Sequence, residues 1–359
     1  MIIKMEMGTD EKNIKRVEAK INELGYEVGE IHGTTRTVIG IKGDVSELNE
    51  DTFIPLPGVE EVIRISKPYK LASLEYKTLL NGGTPVYTRV SVDGIEIGGD
   101  KLVIMAGPCA IETKQQIMDA AKSIDRIFQE QEHIARPILR GGADKPRSSP
   151  YSFQGLGEEG LEYLAEAGER YKMPTVTEVV STEKVELVSK YVKILQVGAR
   201  NMDNFELLKS IGQSGKPVLL KRGMAATVDD LLQSAEYILD NGNSNVILCL
   251  RGTKSFDSGK NGPYRNNPDA AYAVALRKLT PLPTGFDPSH STGARYAVKG
   301  VAIGAVSMGA DFLLVEAHPN PEKALCDGSQ SLHMEELREL VNAANDFRGL
   351  YNHHFNGKD

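Results

Sequence analysis

LPTGFDPSHSTGARYAVKGVAIGAVSMGADFLLVEAHP, residues 282–319, holds one complete unit of the fold. Its first apolar run, 282–286, is short enough for a buried strand and ends on the polar string Asp287-Pro-Ser-His290. Residues 293–308 then carry apolar side chains at helical spacing, and a second apolar run, 311–315, ends on Glu316-Ala-His318-Pro319. A strand, a crossing helix and a second strand predict two parallel strands in one sheet.

The same theme recurs upstream. Apolar runs fall at 102–106, 137–139, 174–177, 192–197, 217–220 and 245–250, with helix-period segments at 114–129, 158–171, 204–211, 228–239 and 269–279, and a last one at 334–351. Eight strand–helix units within roughly 250 residues are what a (β/α)8 TIM barrel requires. Ahead of it, strand-like runs at 2–5, 27–32, 37–42 and 59–66 alternate with helical stretches at 13–24 and near 45–50, and the turn Gly33-Thr34-Thr35 joins the middle pair. The order βαββαβ predicts a small ferredoxin-like α+β domain. Residues 67–98, punctuated by Gly82-Gly83, Pro85 and Gly98-Gly99 around a hairpin at 86–92 and 95–97, read as a connector. The expected division is therefore 1–66, 67–98 and a catalytic barrel over 99–352.

At 359 residues the chain exceeds one typical domain. Its 42 basic and 49 acidic side chains give a net charge of −7, which argues against a general polyanion-binding surface and so against a nucleic-acid partner. Any cationic cluster must be local. Three scattered cysteines, no signal-peptide pattern and no apolar stretch of the ~18 residues a bilayer needs predict a cytoplasmic protein without a membrane partner.

Barrels build their chemistry at the C-terminal ends of the strands. Here those ends carry Gly107-Pro-Cys109, the string from Arg140 through Lys145 to Arg147, Glu178, Arg200, Lys221-Arg222, Arg251, Asp287-Pro-Ser-His290 and Glu316-Ala-His318. Arg140, Lys145, Arg147, Arg200, Lys221, Arg222 and Arg251 would converge on one mouth, and guanidinium forks match phosphate and carboxylate groups. One such arginine reads as a solvated or ion-paired charge; the full set asks for a ligand with several negative charges.

Cys109, His290, Glu316 and Asp327 lie at or beyond the first, seventh and eighth strands, which adjoin when a barrel closes. Thiolate, imidazole and two carboxylates suit a borderline divalent ion such as Mn2+, Zn2+, Fe2+ or Co2+ better than Mg2+ or Ca2+. Taken singly, the same residues read as a buried thiol, a satisfied loop histidine, an arginine partner and a turn former before Gly328. His318 reads either as a support for Glu316 or as a turn residue before Pro319, and Cys249 as strand core.

Gly107-Pro-Cys109, Lys145-Pro-Arg147-Ser148, Gln196-Val-Gly-Ala-Arg200, Leu220-Lys221-Arg-Gly223, Asp287-Pro-Ser-His290 and Glu316-Ala-His-Pro319 occur in order. Together they resemble 3-deoxy-D-arabino-heptulosonate 7-phosphate (DAHP) synthase, class I beta type with an N-terminal ferredoxin-like regulatory domain. The resemblance implies a 3-deoxy-7-phosphoheptulonate synthase, which condenses phosphoenolpyruvate with D-erythrose 4-phosphate. It makes Cys109, His290, Glu316 and Asp327 the ligands of a divalent metal, and Lys145, Cys109 and His290 the catalytic set. Arg140, Lys145, Arg200, Lys221 and Arg251 would hold phosphoenolpyruvate, while Arg147 and Ser148 would grip the erythrose phosphate. An aromatic amino-acid effector on the first domain and a homotetramer are implied too. Leu250, Lys254, Asp144 and Thr292 depart from the family pattern. Two alternatives stand beside this reading: 3-deoxy-D-manno-octulosonate 8-phosphate synthase, whose family carries Ala-Asn-Arg in place of Lys145-Pro-Arg147, and a catalytically impaired effector-binding barrel.

Overall fold

Two units make up the chain, Met1–Val86 with Leu279–Pro281 and Tyr87–Lys278 with Leu282–Asp359. The computed structural model describes residues 1–32, 37–43, 45, 47–64, 67–129, 131–147, 149–259 and 262–355; Gly33-Thr34-Thr35, Ser66 and Ser148 lie outside them.

The first unit contains β1 (Ile2–Met5), α1 (Glu11–Glu23), β2 (Glu27–His32), β3 (Thr37–Lys42), β4 (Val59–Ile63) and α2 (Leu74–Leu80). Its antiparallel sheet runs β2-β3-β1-β4, the strand order of a ferredoxin-like fold. Asp10 caps α1 by accepting from the Asn13 amide, and the helix turns Ile14, Val17 and Ile21 onto a core with Ile3, Met5, Ile39 and Phe53. The second expected helix is only a single turn, Glu50–Thr52, because Pro55 and Pro57 follow and cannot continue it. On another side of the sheet, Tyr76 of α2 joins Ile2 and Val38 in a separate buried cluster.

In the second unit a hairpin of β5 (Val90–Val92) and β6 (Ile95–Ile97) precedes eight strands: β7 (Val103–Gly107), β8 (Ile138–Arg140), β9 (Thr175–Val179), β10 (Ile194–Val197), β11 (Val218–Lys221), β12 (Val246–Leu250), β13 (Thr284–Phe286) and β14 (Phe312–Glu316). All pair in parallel, and the sheet closes β14 onto β7 with Glu316 opposite Gly107. The hairpin residues Val90, Val92, Ile95 and Ile97 share one core with Met105, Ile138, Ile194, Leu219 and Phe312, so they plug the end at which the strands begin. Phe312 lies over Gly285, where an added Cβ would meet its ring at 2.4 Å. The outer helices are α3 (Lys114–Ile127), α4 (Glu158–Arg170), α5 (Val185–Tyr191), α6 (Phe205–Gln213), α7 (Val228–Asp240), α8 (Tyr272–Leu279), α9 (Pro288–Thr292), α10 (Arg295–Ser307) and α11 (Met334–Phe355). Neither α5 nor α9 was among the periodic candidates; seven and five residues are too few for a helical period to show.

At the opposite end β7 and β8 come unusually close. Gly107 has φ 151°, and a Cβ there would stand 2.1 Å from the Arg140 carbonyl oxygen. Only glycine allows this approach, which brings Cys109 and Arg140 to the same rim.

Candidate active site

Every strand-end residue singled out from the sequence and described here lies at the C-terminal rim. Arg140, Lys221 and Glu316 are the last residues of β8, β11 and β14, and Arg251 follows β12 directly. Arg200 sits in the short turn Ala199–Asn201 after β10, and His290 within α9 after β13. One cavity is lined by Arg140, Lys145, Arg147, Arg200, Lys221 and Arg251, together with Glu178, His290 and Asp327.

Arg222 is the exception among the seven expected cations. Its guanidinium donates to Asp269 at 2.8 Å and stacks 4.7 Å over the Tyr272 ring, away from the cavity. Successive residues at a strand end point to opposite sides, so Lys221 and Arg222 cannot both face the mouth. Arg265 takes a place in the lining instead. It comes from the long connection between β12 and α8 and follows no apolar run, although every β-to-α connection belongs to this face.

Cys109, His290, Glu316 and Asp327 form a cluster whose ligating atoms all lie within 4.8 Å of one another. Bonds of about 2.0–2.3 Å to one ion place opposed ligands about 4–4.6 Å apart, so the cluster has the size as well as the mixed S, N and O chemistry for a borderline divalent ion. Asp327 reaches it by a left-handed turn, φ 51°, which aspartate tolerates, and its carbonyl accepts from the amides of Gln330 and Ser331. Gln330 in turn donates to Glu316 Oε2 at 2.6 Å, and Arg265 lies 3.5 Å from Asp327 and 3.1 Å from Gln330.

Asp287, wholly buried, orients the imidazole. Its Oδ2 is 2.7 Å from His290 Nδ1 and also accepts from Lys221, while Oδ1 accepts from the His290 amide at 2.8 Å. Nε2 is left facing Glu316 at 3.4 Å and Asp327 at 3.8 Å. Burial lowers the His290 pKa despite the neighbouring carboxylates, so the ring is neutral near neutral pH and can offer a lone pair. For Lys145, burial pulls downward, but Cys109 and then Cys326 outweigh it and hold the ammonium well above its usual range. Its Nζ donates to the Sγ and the carbonyl of Cys109, both at 3.1 Å.

Glu316 accepts from Arg140 at 3.0 Å. Burial pushes its carboxyl up, but His290, Arg140 and Lys145 overcome this and hold it down from 4.5 to about 2. His290 helps only when protonated, which leaves Arg140 and Lys145 as the lasting partners. This ionisation stabilises the metal-free fold above the unfolded-state pKa, and the contribution disappears as the pH falls through the folded one. Glu316→Gln in metal-free protein should therefore cost on the order of 2 kcal/mol near neutral pH. Acid-unfolding curves of the two proteins should converge as the pH approaches the low folded-state value; a constant gap would refute the assignment.

Arg251 is buried, yet its Nε and Nη1 have no hydrogen-bond partner, and Nη2 only approaches the His290 carbonyl at 3.4 Å. His318 is buried away from the cavity; its Nδ1 accepts from the Asn320 amide, and Nε2 stands 3.8 Å from Glu112. Of the departures from the family pattern, Leu250 and Thr292 are buried, Asp144 pairs with Lys184 at 2.7 Å, and neither these nor Lys254 lines the cavity.

A profile of the DAHP synthetase I family matches residues 82–351, and one of the DAHP synthase ferredoxin-like domain matches residues 1–67. Phospho-2-dehydro-3-deoxyheptonate aldolase of Thermotoga maritima is 42% identical over 341 residues, 95% of this chain and 96% of that one. The crystal structure of the DAHP synthase from that organism superposes with TM-score 0.73 at 40% identity, covering 98% of this chain and 97% of that chain. More remote is 2-dehydro-3-deoxyphosphooctonate aldolase of Geotalea uraniireducens, 32% identical over 70% of this chain and 94% of its own length. With a profile match across the barrel and its rim, and close identity along nearly the whole sequence, this chain belongs to the DAHP synthetase I family.

Proposed function

We propose that the barrel is a transferase that joins phosphoenolpyruvate to D-erythrose 4-phosphate, with water, giving DAHP and inorganic phosphate, the first step of the shikimate pathway to aromatic amino acids. The observation that carries the substrate reading is Arg251. A buried guanidinium with unpaired donors is costly unless an anion completes it, and this one opens onto a cavity rimmed by five further cations of the predicted set.

In this reading Arg140, Lys145, Arg200, Lys221 and Arg251 hold phosphoenolpyruvate, with Arg200 and Lys221 on its phosphate, and Arg147 takes the erythrose phosphate with Ser148. Cys109, His290, Glu316 and Asp327 would hold Mn2+, Zn2+, Fe2+ or Co2+. When bound, such an ion supplies Lewis acidity toward an aldehyde oxygen. As C3 of phosphoenolpyruvate attacks that aldehyde, negative charge grows on its oxygen, and the charged Lys145 beside Cys109 is the donor toward it. Positive charge develops at C2, where water must add before phosphate leaves. Lys145 is the first candidate for the acid–base group of this step and Glu178, in the cavity lining and 3.4 Å from the Gln196 side-chain amide, the second. Fixing two phosphorylated substrates in one register removes much of the entropic barrier.

The first unit serves as a sensor for an aromatic amino acid, the assembly is a homotetramer, and its place is the cytoplasm. Support for the sensor comes from the match to the ferredoxin-like domain. Among the described residues no helix is long and apolar enough to cross a membrane.

Consumption of phosphoenolpyruvate should be followed with erythrose 4-phosphate and, separately, arabinose 5-phosphate, before and after chelation and with each of the four ions returned. Turnover is expected with the four-carbon sugar alone, lost on chelation and restored by at least one ion. Absence of turnover with every ion would sink the reading, and preference for the five-carbon sugar would move it to the octulosonate synthases.

A further inference from the structure

Arg222 brings charge to a strand end, yet no role above uses it. Its guanidinium is buried on the far side of the strand from the cavity: Nη1 donates to Asp269 Oδ2 at 2.8 Å, Nε donates to the Ala226 carbonyl at 3.0 Å, and the Tyr272 ring covers its face. Asp269 is buried as well, and its other oxygen, Oδ1, accepts from the Gly252 amide at 2.8 Å. One carboxylate therefore ties two distant stretches of chain together.

The two ends that it ties carry cations of the mouth. Arg222 directly follows Lys221 at the end of β11, and Gly252 directly follows Arg251 beyond β12. The β11–β12 register ends with Lys221 opposite Cys249, and the Arg222 amide donates to the Cys249 carbonyl at 2.9 Å, so Arg251 stands beyond the ladder. Gly252 turns the chain there with φ 80°, and a Cβ on it would stand 2.9 Å from the Asn267 carbonyl oxygen. Only glycine brings its amide this close to the strand that carries Asp269. That strand is itself held: Thr253 and Asn267 exchange backbone bonds of 3.1 and 2.8 Å, and the Asp269 carbonyl accepts from the Tyr272 amide at 3.0 Å where α8 begins.

Stability is a poor reason for the pair. Burial pushes the Asp269 carboxyl up, against the pull of Arg222 and the Gly252 amide, and a buried ion pair can often be exchanged for apolar side chains without loss. What an apolar pair lacks is one rigid group with two acceptors aimed at neighbouring strand ends.

We propose that Arg222 and Asp269 are positioning residues, which act through the Gly252 amide to fix the spacing of Lys221 and Arg251 for the anion that those two grip. The inference rests on reading the cavity as a phosphoenolpyruvate site. A misplacement of about 1 Å in such a grip costs about 100-fold in rate, which is why a brace behind it matters.

The test compares the full-length parent with Asp269→Asn, Arg222→Met and the double variant, all supplied with Mn2+. Asparagine keeps the shape of the carboxylate but has one oxygen where the brace uses two. In each single variant, phosphoenolpyruvate affinity by calorimetry and kcat/KM for phosphoenolpyruvate should fall about 10- to 100-fold, while KM for erythrose 4-phosphate and Mn2+ affinity stay within about twofold. The double variant should lose no more than the worse single one, since parts of one brace fail together. It buries no unpaired charge, so its urea midpoint should match the parent's, and it decides the matter even where a single variant does not fold. Affinity that returns with stability in the double variant would show that the pair only kept the fold and would overturn the proposal. Losses that add, or that fall equally on both substrates, would overturn it too. An active parent whose variants bind phosphoenolpyruvate as tightly as it does defeats this inference alone, whereas a parent that neither binds nor turns over phosphoenolpyruvate defeats the cavity reading and the brace with it.

Discussion

Replacing Arg251 with methionine should lower kcat/KM for phosphoenolpyruvate by about 10²–10⁴ while leaving the unliganded fold as stable as before or more so. The two effects have opposite signs for one reason. The Arg251 guanidinium is buried, two of its nitrogens lack partners, and the carboxylate that chiefly supports it electrostatically, Asp287, is already engaged by Lys221 and His290. Burial outweighs that support and pulls its pKa down. The unliganded protein therefore carries a desolvated cation that it does not fully satisfy, and methionine fills similar space without the charge. An anionic substrate would supply the missing acceptors, each charge-assisted contact contributing about 1.5–3 kcal/mol. Urea unfolding and steady-state kinetics on the same variant decide the matter. If stability falls in step with activity, Arg251 is a structural residue and the anion-binding reading loses its main support.

The sequence carried the barrel plainly because buried parallel strands are short apolar runs and each run ends where the chemistry begins. The residues before Cys109, Arg140, Lys221 and Glu316 gave that signal directly, and all four reach the rim. What stayed hidden depended on direction or on three-dimensional proximity. Arg222 carries the right charge at the right strand end but the wrong side of the alternation, and Asp269 captures it. Arg265 and Gln330 come from connections without a periodic run to announce them, yet they contact each other and the cluster's carboxylates. In the first unit, the helical pattern near residue 50 was real for one turn, and the prolines that end it were in plain view.

Asp287→Asn should destabilise the fold by about 3–5 kcal/mol and weaken Mn2+ binding to the cluster by about 10- to 100-fold. Asparagine is the informative replacement because it can still accept the His290 amide bond that caps α9, so the short helix keeps its start. What it removes is the charge. Lys221, only 4% exposed, would lose the carboxylate it donates to and become an uncompensated buried cation. The imidazole would lose the partner that holds the proton on Nδ1, and Nε2 would no longer be fixed toward Glu316 and Asp327. Asp287 is ionised here despite a burial penalty: a protonated His290 would lower its carboxyl, and with the ring neutral Lys221 and the two hydrogen bonds from His290 still hold it well below the usual range. The two losses separate in a double variant. Adding Lys221→Met to Asp287→Asn removes the orphaned cation and should recover most of the stability, read as the urea midpoint, yet it does nothing for the ring and should leave Mn2+ affinity, read by calorimetry, as low as in the single variant. Recovery of both together would mean that Asp287 acts on the cluster only through the general integrity of the barrel, and recovery of neither would mean that its charge is not what holds Lys221.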